Sequence, residues 1–375
     1  MIQDTQTNKT LPPLDTSQMR LPVAIITGFL GSGKTTLLNK LLIHPDMQKT
    51  AVVINEFGAV SIDHLLVRSA TEDIVVMEGG CVCCTVRGDL TQTLQDLFLK
   101  RVRLEITEFE RVVIETTGLA DPAPIIHTLL NDAILKTYFY LDSVITTVDS
   151  VYGLNQLDEQ YETVKQIAVA DRLVLTKTDI ASASNIKNLR ERLQRLNPAA
   201  LLLESVDGQV AVEKLFNANL YNPTTKSIDV QQWLQAEMYA DHTSPRHEPH
   251  RNEMRHESYI RSFCLTYEQP LSWTVLNRWF QQLTALRGKD LLRVKGIAYT
   301  VETDLPVVIQ GVHHIFQPPT TLPTWPTEQR YTQIVFITRN ISQTVIEQML
   351  AVLIESKTSA EACSAALLLL ESHPT

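Results

Sequence analysis

The stretch that decides the fold is "VAIITGFLGSGKTTLLNKLL", residues 23–42. A run of β-branched and apolar residues leads into a glycine-rich loop, and apolar residues at helical spacing follow it. The loop, "GFLGSGKTT" (28–36), matches the pattern of Gly, four residues, then Gly-Lys-Thr. Its glycines let backbone N–H groups turn inward around phosphates, and the following helix points its N-terminus at them. Because strand, loop and helix occur in this order, the sequence predicts a nucleotide triphosphate site rather than a chance glycine turn.

Two residues at the end of this loop have side chains suited to a nucleotide and its metal ion. Lys34 is expected to reach the β- and γ-phosphates. The hydroxyl of Thr35 is expected to ligate Mg²⁺.

Similar apolar runs recur along the first half of the chain, and helix-like segments lie between several of them. The runs are "VAIIT" (23–27), "TAVVI" (50–54), "DIVVM" (73–77), "RVVIE" (111–115), "SVITTV" (143–148) and "RLVLT" (172–176). Near-continuous apolar strands separated by helices indicate a parallel sheet that is covered on both faces. We therefore predict a P-loop domain of the α/β class, with a mostly parallel, doubly wound sheet, over residues 21–220.

The segment "LTKTD" (175–179) bears on which base the site accepts. GTPases typically carry Asn-Lys-x-Asp at the end of a strand downstream of the phosphate loop. A carboxylate such as Asp179 can accept both the N1–H and the 2-amino protons of guanine, whereas adenine offers no N1–H. The aliphatic stem of Lys177 can pack on the ring, and Thr176 replaces the usual Asn. A surface turn is the alternative, but the position favours a guanine site and therefore a GTPase domain.

The segment "RVVIETTGLADP" (111–122) adds a further element of the same site. An acidic residue at a strand end, here Glu115, usually orients Mg²⁺ or its water. Gly118, three residues on, can donate its N–H to the γ-phosphate. The alternative for Glu115 is a purely structural carboxylate.

Three cysteines, Cys81, Cys83 and Cys84, follow an apolar run within "EGGCVCCTV" (78–86). Three thiolates suit a four-coordinate site for a soft or borderline cation, with water, Glu56 or a partner group as the fourth ligand. Cysteines that merely pack in a core, or that form a redox pair, are the alternatives. Clustering after a double glycine favours the metal site.

The cysteine motif and the nucleotide loops are expected to lie together. "NEFG" (55–58), "EGGCVCC" (78–84) and "ETTG" (115–118) each follow an apolar strand, as the phosphate loop does. Ligands of an open α/β sheet gather at the carboxyl ends of its strands. All four loops are therefore predicted to share one edge of the sheet.

The rest of the chain is predicted to contain a second, smaller domain. Residues 1–20 form a polar lead that we expect to be flexible, and 221–257 is a linker that contains His242, His247, His250 and His256. Segments 258–340 indicate a small α+β domain, and 341–375 a helical extension with a polar tail.

Composition limits the classes of partner and the compartment. The formal net charge of -9 argues against a general nucleic-acid binder. The first residues lack a signal-peptide pattern, and no uncharged apolar run is long enough to cross a bilayer. We therefore expect a cytoplasmic protein that binds neither nucleic acid nor membrane. The sequence leaves open whether the chain forms a homodimer.

With these motifs in place, the chain resembles the CobW family of metallochaperone GTPases, in its YjiA-like branch. The shared stretches are "TGFLGSGKTTLLNKLL", "INEFGAVSID", "GGCVCCTVRGDL", "ETTGLADPAPII", "VDSV", "QIAVADRLVLTKTD", "LLRVKG" and "QGVHHIF". They span roughly residues 21 to 338 and include the second domain, which corresponds to the family's CobW C-terminal domain.

The resemblance implies the roles of individual residues. The catalytic residues would be Lys34, Glu115 and Gly118. Contacts to GTP or GDP would come from Gly28, Gly31, Ser32, Gly33, Lys34, Thr35, Thr36, Thr176, Lys177 and Asp179. Mg²⁺ would be bound by Thr35, Asp63 and Glu115, and Zn²⁺, or in some members Co²⁺, by Cys81, Cys83 and Cys84. Many relatives have an acid where this chain has Ala59, so of a second, carboxylate-assisted metal site only Glu56 remains.

The function implied by the resemblance is transfer of Zn²⁺ to client metalloproteins, switched by GTP binding and hydrolysis. A cobalt chaperone for cobalamin synthesis or nitrile hydratase maturation is one alternative, because thiolates bind Zn²⁺ and Co²⁺ alike. A zinc storage or sensing protein regulated by nucleotide is another. A nucleotide-dependent assembly factor without metal cargo would make the cysteines dispensable.

Overall fold

The structure is a computed structural model, and it describes residues 20–55, 75–79, 87–216 and 260–355 of the 375-residue chain. The predicted lead (1–20, except Arg20), the histidine-containing linker and the end of the C-terminal extension lie outside these residues. The four histidines between His242 and His256 therefore stay a sequence-based prediction.

In the described part of the first half, seven strands form one sheet, with helices between them. The strands are β1 (Leu21–Gly28), β2 (Thr50–Asn55), β3 (Val75–Gly79), β4 (Arg111–Thr116), β5 (Phe139–Asp149), β6 (Arg172–Thr176) and β7 (Leu201–Glu204). The helices are α1 (Lys34–Leu42), α2 (Arg87–Val102), α3 (Ala123–Asn131), α4 (Leu135–Tyr138), α5 (Gly153–Glu159), α6 (Tyr161–Ala168) and α7 (Ala183–Leu196), with 3₁₀ turns at Pro45–Met47 and Val212–Lys214.

The sheet order is β3-β2-β4-β1-β5-β6-β7, and every pairing is parallel. Its strands are apolar on both faces: in β1, Val23 and Ile25 belong to one core, and Ala24 and Ile26 to the core on the opposite face. This two-sided burial is the reason why the strands read as continuous apolar runs. The predicted doubly wound α/β class is confirmed, and the chain leaves β1 at the centre of the sheet, where ligands bind in such folds.

The helices of this half present apolar faces to the sheet, and α7 shows both this face and a side-chain cap. Helix α7 begins after Ser182, whose hydroxyl accepts a hydrogen bond from the backbone N–H of Asn185 at 3.2 Å. Its buried leucines, Leu189, Leu193 and Leu196, lie at helical spacing and join one core. Among the described residues, no helix is both long and apolar enough to span a membrane.

The described part of the second half is an antiparallel sheet with two helices. Its strands are β8 (Ile260–Tyr267), β9 (Leu291–Thr300), β10 (Thr303–Val312), β11 (Ile315–Phe316), β12 (Thr320–Thr321) and β13 (Thr332–Arg339). The helices are α8 (Trp273–Arg287) and α9 (Gln343–Glu355). The order is β11-β10-β9-β13-β8, with β12 paired to β10.

Helices α8 and α9 complete one core of this second sheet. Trp279 of α8 and Met349 of α9 are both fully buried in a cluster with Phe336 of β13. Helix α9 therefore packs inside the second domain, past the boundary at residue 340 that the sequence suggested. The amphipathic pattern of α9 indicated a helix, but only the packing shows which core the helix completes.

A buried ion cluster joins the two sheets. Asp171, at the start of β6, pairs with Arg293 at 2.7 Å and with Lys295, both on β9, and it also accepts the backbone N–H of Val144 at 2.9 Å. Burial by itself opposes ionisation of Asp171, but the two cations outweigh it and lower its pKa to about 2. The first domain thus supplies the buried anion at this interface, and the second domain supplies the two buried cations.

A second contact links α6 to the same sheet. The guanidinium of Arg339, at the end of β13, donates to the hydroxyl of Tyr161 at 2.5 Å and to Asp290 at 2.8 Å. Ala168, at the other end of α6, packs with Leu292 and Ile337 of the second domain. Helix α6 therefore contacts the second domain near both of its ends.

Candidate nucleotide and metal site

The phosphate loop connects β1 to α1 and depends on glycine conformations. Gly31 and Gly33 have φ angles of 72° and 90°, in the left-handed region that favours glycine. At Gly28 a side chain would place its Cβ 2.4 Å from the carbonyl oxygen of Thr147 and 2.7 Å from the hydroxyl of Ser32. The loop can therefore follow this path only with these glycines, and it leads into a helix N-terminus that lacks a side-chain cap.

Lys34 is nearly buried and folds back across the loop. Its ammonium group donates to the carbonyl oxygens of Gly28 at 3.0 Å and Phe29 at 3.1 Å. These carbonyls hold the ammonium group beside the loop, and Lys34 itself is the first residue of α1. An anion that entered the loop would meet both the ammonium group and the N-terminal end of α1.

Thr35 and Glu115 bring two oxygen side chains together beside the loop. β4 lies next to β1 with Glu115 level with Ile26, and the Thr35 hydroxyl donates to the Glu115 carboxylate at 2.7 Å. Glu115 is only 6% exposed. A hydroxyl and a carboxylate in contact form an oxygen donor set of the kind that hard divalent cations prefer.

The turn after β4 lies directly against the phosphate loop. It spans 117–120, closed by a hydrogen bond from the Ala120 N–H to the Thr117 carbonyl at 3.1 Å. A Cβ at Gly118 would lie 2.6 Å from the backbone nitrogen of Leu30 and 2.7 Å from its Cα. The two backbones can therefore approach each other this closely only because residue 118 is glycine.

The segment 176–179 is tied to the phosphate loop by Thr176. The Thr176 hydroxyl lies 2.8 Å from the carbonyl oxygen of Ser32 and 3.2 Å from that of Val148. From this one position the hydroxyl contacts both carbonyl oxygens, so Thr176 links the segment to the phosphate loop without the side-chain amide of the usual Asn. The carboxylate-bearing Asp179, in contrast, is exposed at the end of the segment.

Lys177 takes a left-handed conformation and is held by a buried carboxylate. Its φ is 58°, and its ammonium group donates to Asp149 at 2.6 Å. The other oxygen of Asp149, a residue that is 1% exposed, accepts the backbone N–H groups of Val151 and Tyr152. Asp149 thus fixes the lysine stem and the start of the next loop together.

Asp149 and Thr147 are site residues that the sequence analysis missed. The Thr147 hydroxyl lies 2.7 Å from the hydroxyl of Ser32 and steadies the floor of the phosphate loop. The available signal was the polar end of an otherwise apolar strand, "TTVD" (146–149). A carboxylate that closes a buried strand at the ligand edge has to be paired, and here its partner is Lys177 of the segment 176–179.

The cysteine motif and the two acids expected near it lie outside the described residues: Cys81, Cys83, Cys84, Glu56 and Asp63. The strands that lead to them are described. Asn55, the last residue of β2, pairs with Gly79 of β3 on one side and with Thr116 of β4 on the other. Within the described ranges, no group of three or more His, Cys, Asp or Glu side chains could hold a metal ion.

Two family models match the chain. The model "CobW/HypB/UreG, nucleotide-binding domain" matches residues 22–204, and "Cobalamin synthesis protein cobW C-terminal domain" matches residues 260–354. These ranges correspond to the parallel and the antiparallel sheet, and the second includes almost all of α9.

Individual proteins are similar over most of the chain. "Zinc chaperone YjiA" of Escherichia coli (strain K12) is 32% identical over 317 residues, which are 84% of this chain and 93% of that protein. "Zinc-regulated GTPase metalloprotein activator 1" of Saccharomyces cerevisiae is 28% identical over 336 residues, 79% of this chain and 75% of that protein. The crystal structure of Zn(II)-bound YjiA GTPase from E. coli has a TM-score of 0.67 at 28% identity, covering 89% of this chain and 99% of that one.

Proposed function

The chain belongs to the CobW family, and from this premise we propose that it is a GTP-hydrolysing chaperone that binds Zn²⁺ and transfers it to client proteins. It is a P-loop GTPase, and the relatives named above combine a chaperone or GTPase function with zinc. We assign the cargo to three thiolates, those of Cys81, Cys83 and Cys84. In this proposal Zn²⁺ is the substrate that the protein binds and transfers, not a resident cofactor.

One observation carries this proposal: β4, which leads into the nucleotide turn, and β3, which leads into the cysteine motif, end at the same level on either side of β2. Asn55 pairs with both Gly79 and Thr116. Gly79 precedes Cys81 by two residues, and Thr116 precedes Gly118 by two residues. The γ-phosphate turn and the thiolate motif therefore start at one level of the sheet, with β2 between their two strands.

We assign GTP binding to the phosphate loop and the segment 176–179. Lys34 would exchange two neutral carbonyl acceptors for the charged β- and γ-phosphate oxygens, which form stronger hydrogen bonds. The glycines from Gly28 to Gly33 would present N–H groups to the phosphates, along with Ser32, Thr35 and Thr36. Asp179 would accept the guanine protons, and Lys177, held by Asp149, would pack its stem on the ring.

Mg²⁺ would be bound by the oxygens of Thr35 and Glu115, together with Asp63. The short contact between the Thr35 hydroxyl and the Glu115 carboxylate supports this assignment, since both atoms belong to the preferred ligand type. The ion would neutralise charge on the phosphates. Thr35, at the start of α1, and Glu115, on β4 next to β1, would keep that charge at the γ-phosphate side.

For hydrolysis, the groups of this chain that we assign are Lys34, Glu115 and Gly118. The ammonium group of Lys34 would stabilise charge on the phosphate oxygens, and the Gly118 N–H would donate to the γ-phosphate. Glu115 would orient the metal-bound water. Because the 117–120 turn contacts Leu30, loss of the γ-phosphate would remove the ligand that the turn and the phosphate loop share.

Metal affinity would respond to the nucleotide through these shared loops. GTP would fix the segments 56–63 and 115–118 and bring the thiolates into ligand geometry, with Glu56 or water as fourth ligand. Hydrolysis would relax them and raise the rate at which Zn²⁺ leaves. The free energy that drives this switch is the difference between GTP and GDP in their affinities for the fixed and the relaxed arrangement of the loops.

Elemental analysis of the full chain, purified with a non-hydrolysable GTP analogue, tests the cargo site. We expect about one Zn²⁺ per chain, as a closed thiolate site requires. Replacing all three motif cysteines by serine should abolish tight zinc binding and leave GTP binding intact. Cys264→Ser is the matched control, because burial raises the pKa of the Cys264 thiol to about 11 and makes it a poor ligand. Equal zinc content in the triple variant and in the wild type would refute the assignment.

Release of zinc to a chromogenic chelator tests the transfer function. With GTP, release should follow hydrolysis, and with the analogue the zinc should stay bound. Release at the same rate in both states would indicate zinc storage or sensing. Preferential loading of Co²⁺ from an equimolar mixture would indicate a cobalt chaperone.

A further inference from the structure

Gln166, on α6, contacts the turn that we assign to the γ-phosphate, although it lies far from it in sequence. Its side-chain nitrogen donates to the carbonyl oxygens of Gly118 at 3.1 Å and Ala120 at 2.9 Å. We infer that Gln166 is a positioning residue for GTP hydrolysis, which holds the 117–120 turn against the phosphate loop. This inference rests on the GTPase activity in the proposed function and not on zinc transfer.

The orientation of the Gln166 amide follows from its partners. Both partners are carbonyl oxygens, and of the two ends of a carboxamide only the NH₂ group can donate. The residue is 0% exposed, so water does not compete for these bonds. The Thr146 hydroxyl of β5 donates to the Gln166 backbone carbonyl at 2.8 Å, so the base of the side chain is fixed to the sheet as well.

A second residue of α6 holds the end of the same segment. Lys165 pairs with Asp121 at 3.1 Å, and Asp121 also accepts the backbone N–H of Ala123. This ion pair is partly exposed on both sides, so it contributes less than the buried amide. Two consecutive residues of α6 therefore hold 118–121, and Gln166 holds the part that faces the phosphate loop.

These contacts bear on hydrolysis because the phosphate loop lies on the other side of the turn. The backbone at Gly118 lies against the backbone of Leu30, with no room for a Cβ. A donor aimed at the γ-phosphate loses much of its effect on rate if it moves by about 1 Å. GDP has no γ-phosphate, so its affinity should not depend on where this turn lies.

The chain offers a matched structural control beside Gln166, at the C-terminal end of α6. Asn197 is 2% exposed, and its side-chain nitrogen donates to the carbonyl oxygens of Ile167, Ala168 and Ala170 at 2.7, 3.3 and 3.0 Å. Like Gln166, it is a buried amide that donates to backbone carbonyls. It anchors α6 without touching the 117–120 turn.

The test compares Gln166→Met with Asn197→Leu in the full chain, by steady-state and single-turnover GTP hydrolysis. Each variant keeps a similar volume and removes the donors. For Q166M we expect kcat to fall about tenfold, because the turn that these two hydrogen bonds hold is displaced and the Gly118 donor then stabilises the transition state less. The KM for GTP and the affinity for GDP should stay within about twofold.

For N197L the expectation is a lower melting temperature with kcat within about twofold of the wild type. Should Q166M not fold, Gln166→Asn, which keeps the amide but is one methylene shorter, is expected to lower kcat with GDP affinity unchanged. An unchanged kcat in Q166M or Q166N, or an equal loss of kcat in N197L, would overturn the inference. Absence of GTP hydrolysis in the wild type would instead contradict the proposed function.

Discussion

The two sheets use polar side chains in opposite ways. In the parallel sheet most strands are apolar along their length, with Asp142 and Ser143 of β5 as exceptions, and hydroxyls and carboxylates gather where strands end, as at Thr116 and Asp149. In the antiparallel sheet, β9 carries Arg293 and Lys295 in mid-strand, between residues such as Val294 that face the core under α8 and α9. The first arrangement builds a ligand site, while the second attaches one domain to the other.

The difference shows what each sheet can tolerate. Polar groups at strand ends can be paired by loops and still reach a ligand. A charge in mid-strand has to be neutralised inside the protein, and Asp171 of the first domain does this. We therefore expect substitutions at the strand ends to affect nucleotide chemistry, and substitutions in the ion cluster to affect stability.

The largest expected effect is on stability, for Asp171→Asn. The substitution leaves two buried cations without their counter-charge and should lower the free energy of unfolding by about 3–5 kcal/mol, as measured by urea denaturation. Asp207→Asn is the control, because the ion pair of Asp207 with Lys40 is largely exposed and should contribute at most about 1 kcal/mol. Equal stabilities for the two variants would show that the cluster does not hold the domains together.

The same cluster predicts how stability depends on pH. The pKa of Asp171 is lowered to about 2 in the folded chain, below that of an unfolded carboxyl group. Its contribution is therefore complete above the unfolded pKa of about 4 and is lost as the pH falls towards 2. Urea unfolding at a series of acidic pH values should give a steeper loss for the wild type than for D171N.

The second prediction concerns rate, for Lys34→Ala. Removing the ammonium group from the phosphate loop should lower kcat for GTP hydrolysis by about 10²–10³-fold, comparable to the loss of a donor that stabilises transition-state charge. Lys40→Ala is the control on the same helix, since Lys40 only pairs with Asp207 at the surface. A K34A enzyme with wild-type kcat would remove Lys34 from the catalytic residues.

A smaller loss of rate is expected for Gly118→Ala. The new Cβ would lie 2.6 Å from the Leu30 backbone, so the turn has to move, and we expect kcat to fall about tenfold. Gly153→Ala is the control, because its Cβ would meet only side-chain atoms of Val148 and Leu189 at 3.1 Å or more. If both variants hydrolyse GTP equally well, close contact between the turn and the phosphate loop does not matter for the reaction.

The smallest expected effect is on affinity, for Thr176→Val. The isosteric change removes the hydroxyl that reaches the carbonyls of Ser32 and Val148, about 1 kcal/mol, so GTP and GDP should both bind about fivefold more weakly. Thr178→Val is the control, since the Thr178 hydroxyl makes only a 3.5 Å contact to the Ser205 carbonyl. Titration with a fluorescent guanine nucleotide measures both, and a loss confined to GTP would contradict a tether common to the two nucleotides.

The sequence predicted the parallel sheet because six of its seven described strands, β1 to β6, are recognisable as local patterns. Runs such as "RVVIE" and "RLVLT" are apolar at successive positions and therefore indicate burial on both faces. The phosphate loop is recognised from the spacing of its residues. β7 was not among the predicted strands, because this edge strand of four residues is only partly buried. Local patterns therefore predict a strand less well where it is short and only partly buried.

The contacts that hold the site together could not be predicted in this way. Gln166 and Gly118 are 48 positions apart, and Asp171 and Lys295 are 124 apart. Nothing in "KQIAVADR" (165–172) distinguishes an amide that supports a turn from one that faces solvent. Such roles depend on which helix the chain packs against the loop, and they appear only when the fold is known.

The measurement that tests the coupling of metal and nucleotide most directly is the Zn²⁺ affinity of the full chain in two nucleotide states, by competition with a chelator of known affinity. With a non-hydrolysable GTP analogue we expect Zn²⁺ to bind at least about tenfold more tightly than with GDP, within the usual range of coupling between two sites. The difference should disappear when Cys81, Cys83 and Cys84 are replaced by serine. Equal affinities in the two nucleotide states would contradict a GTP-switched zinc site.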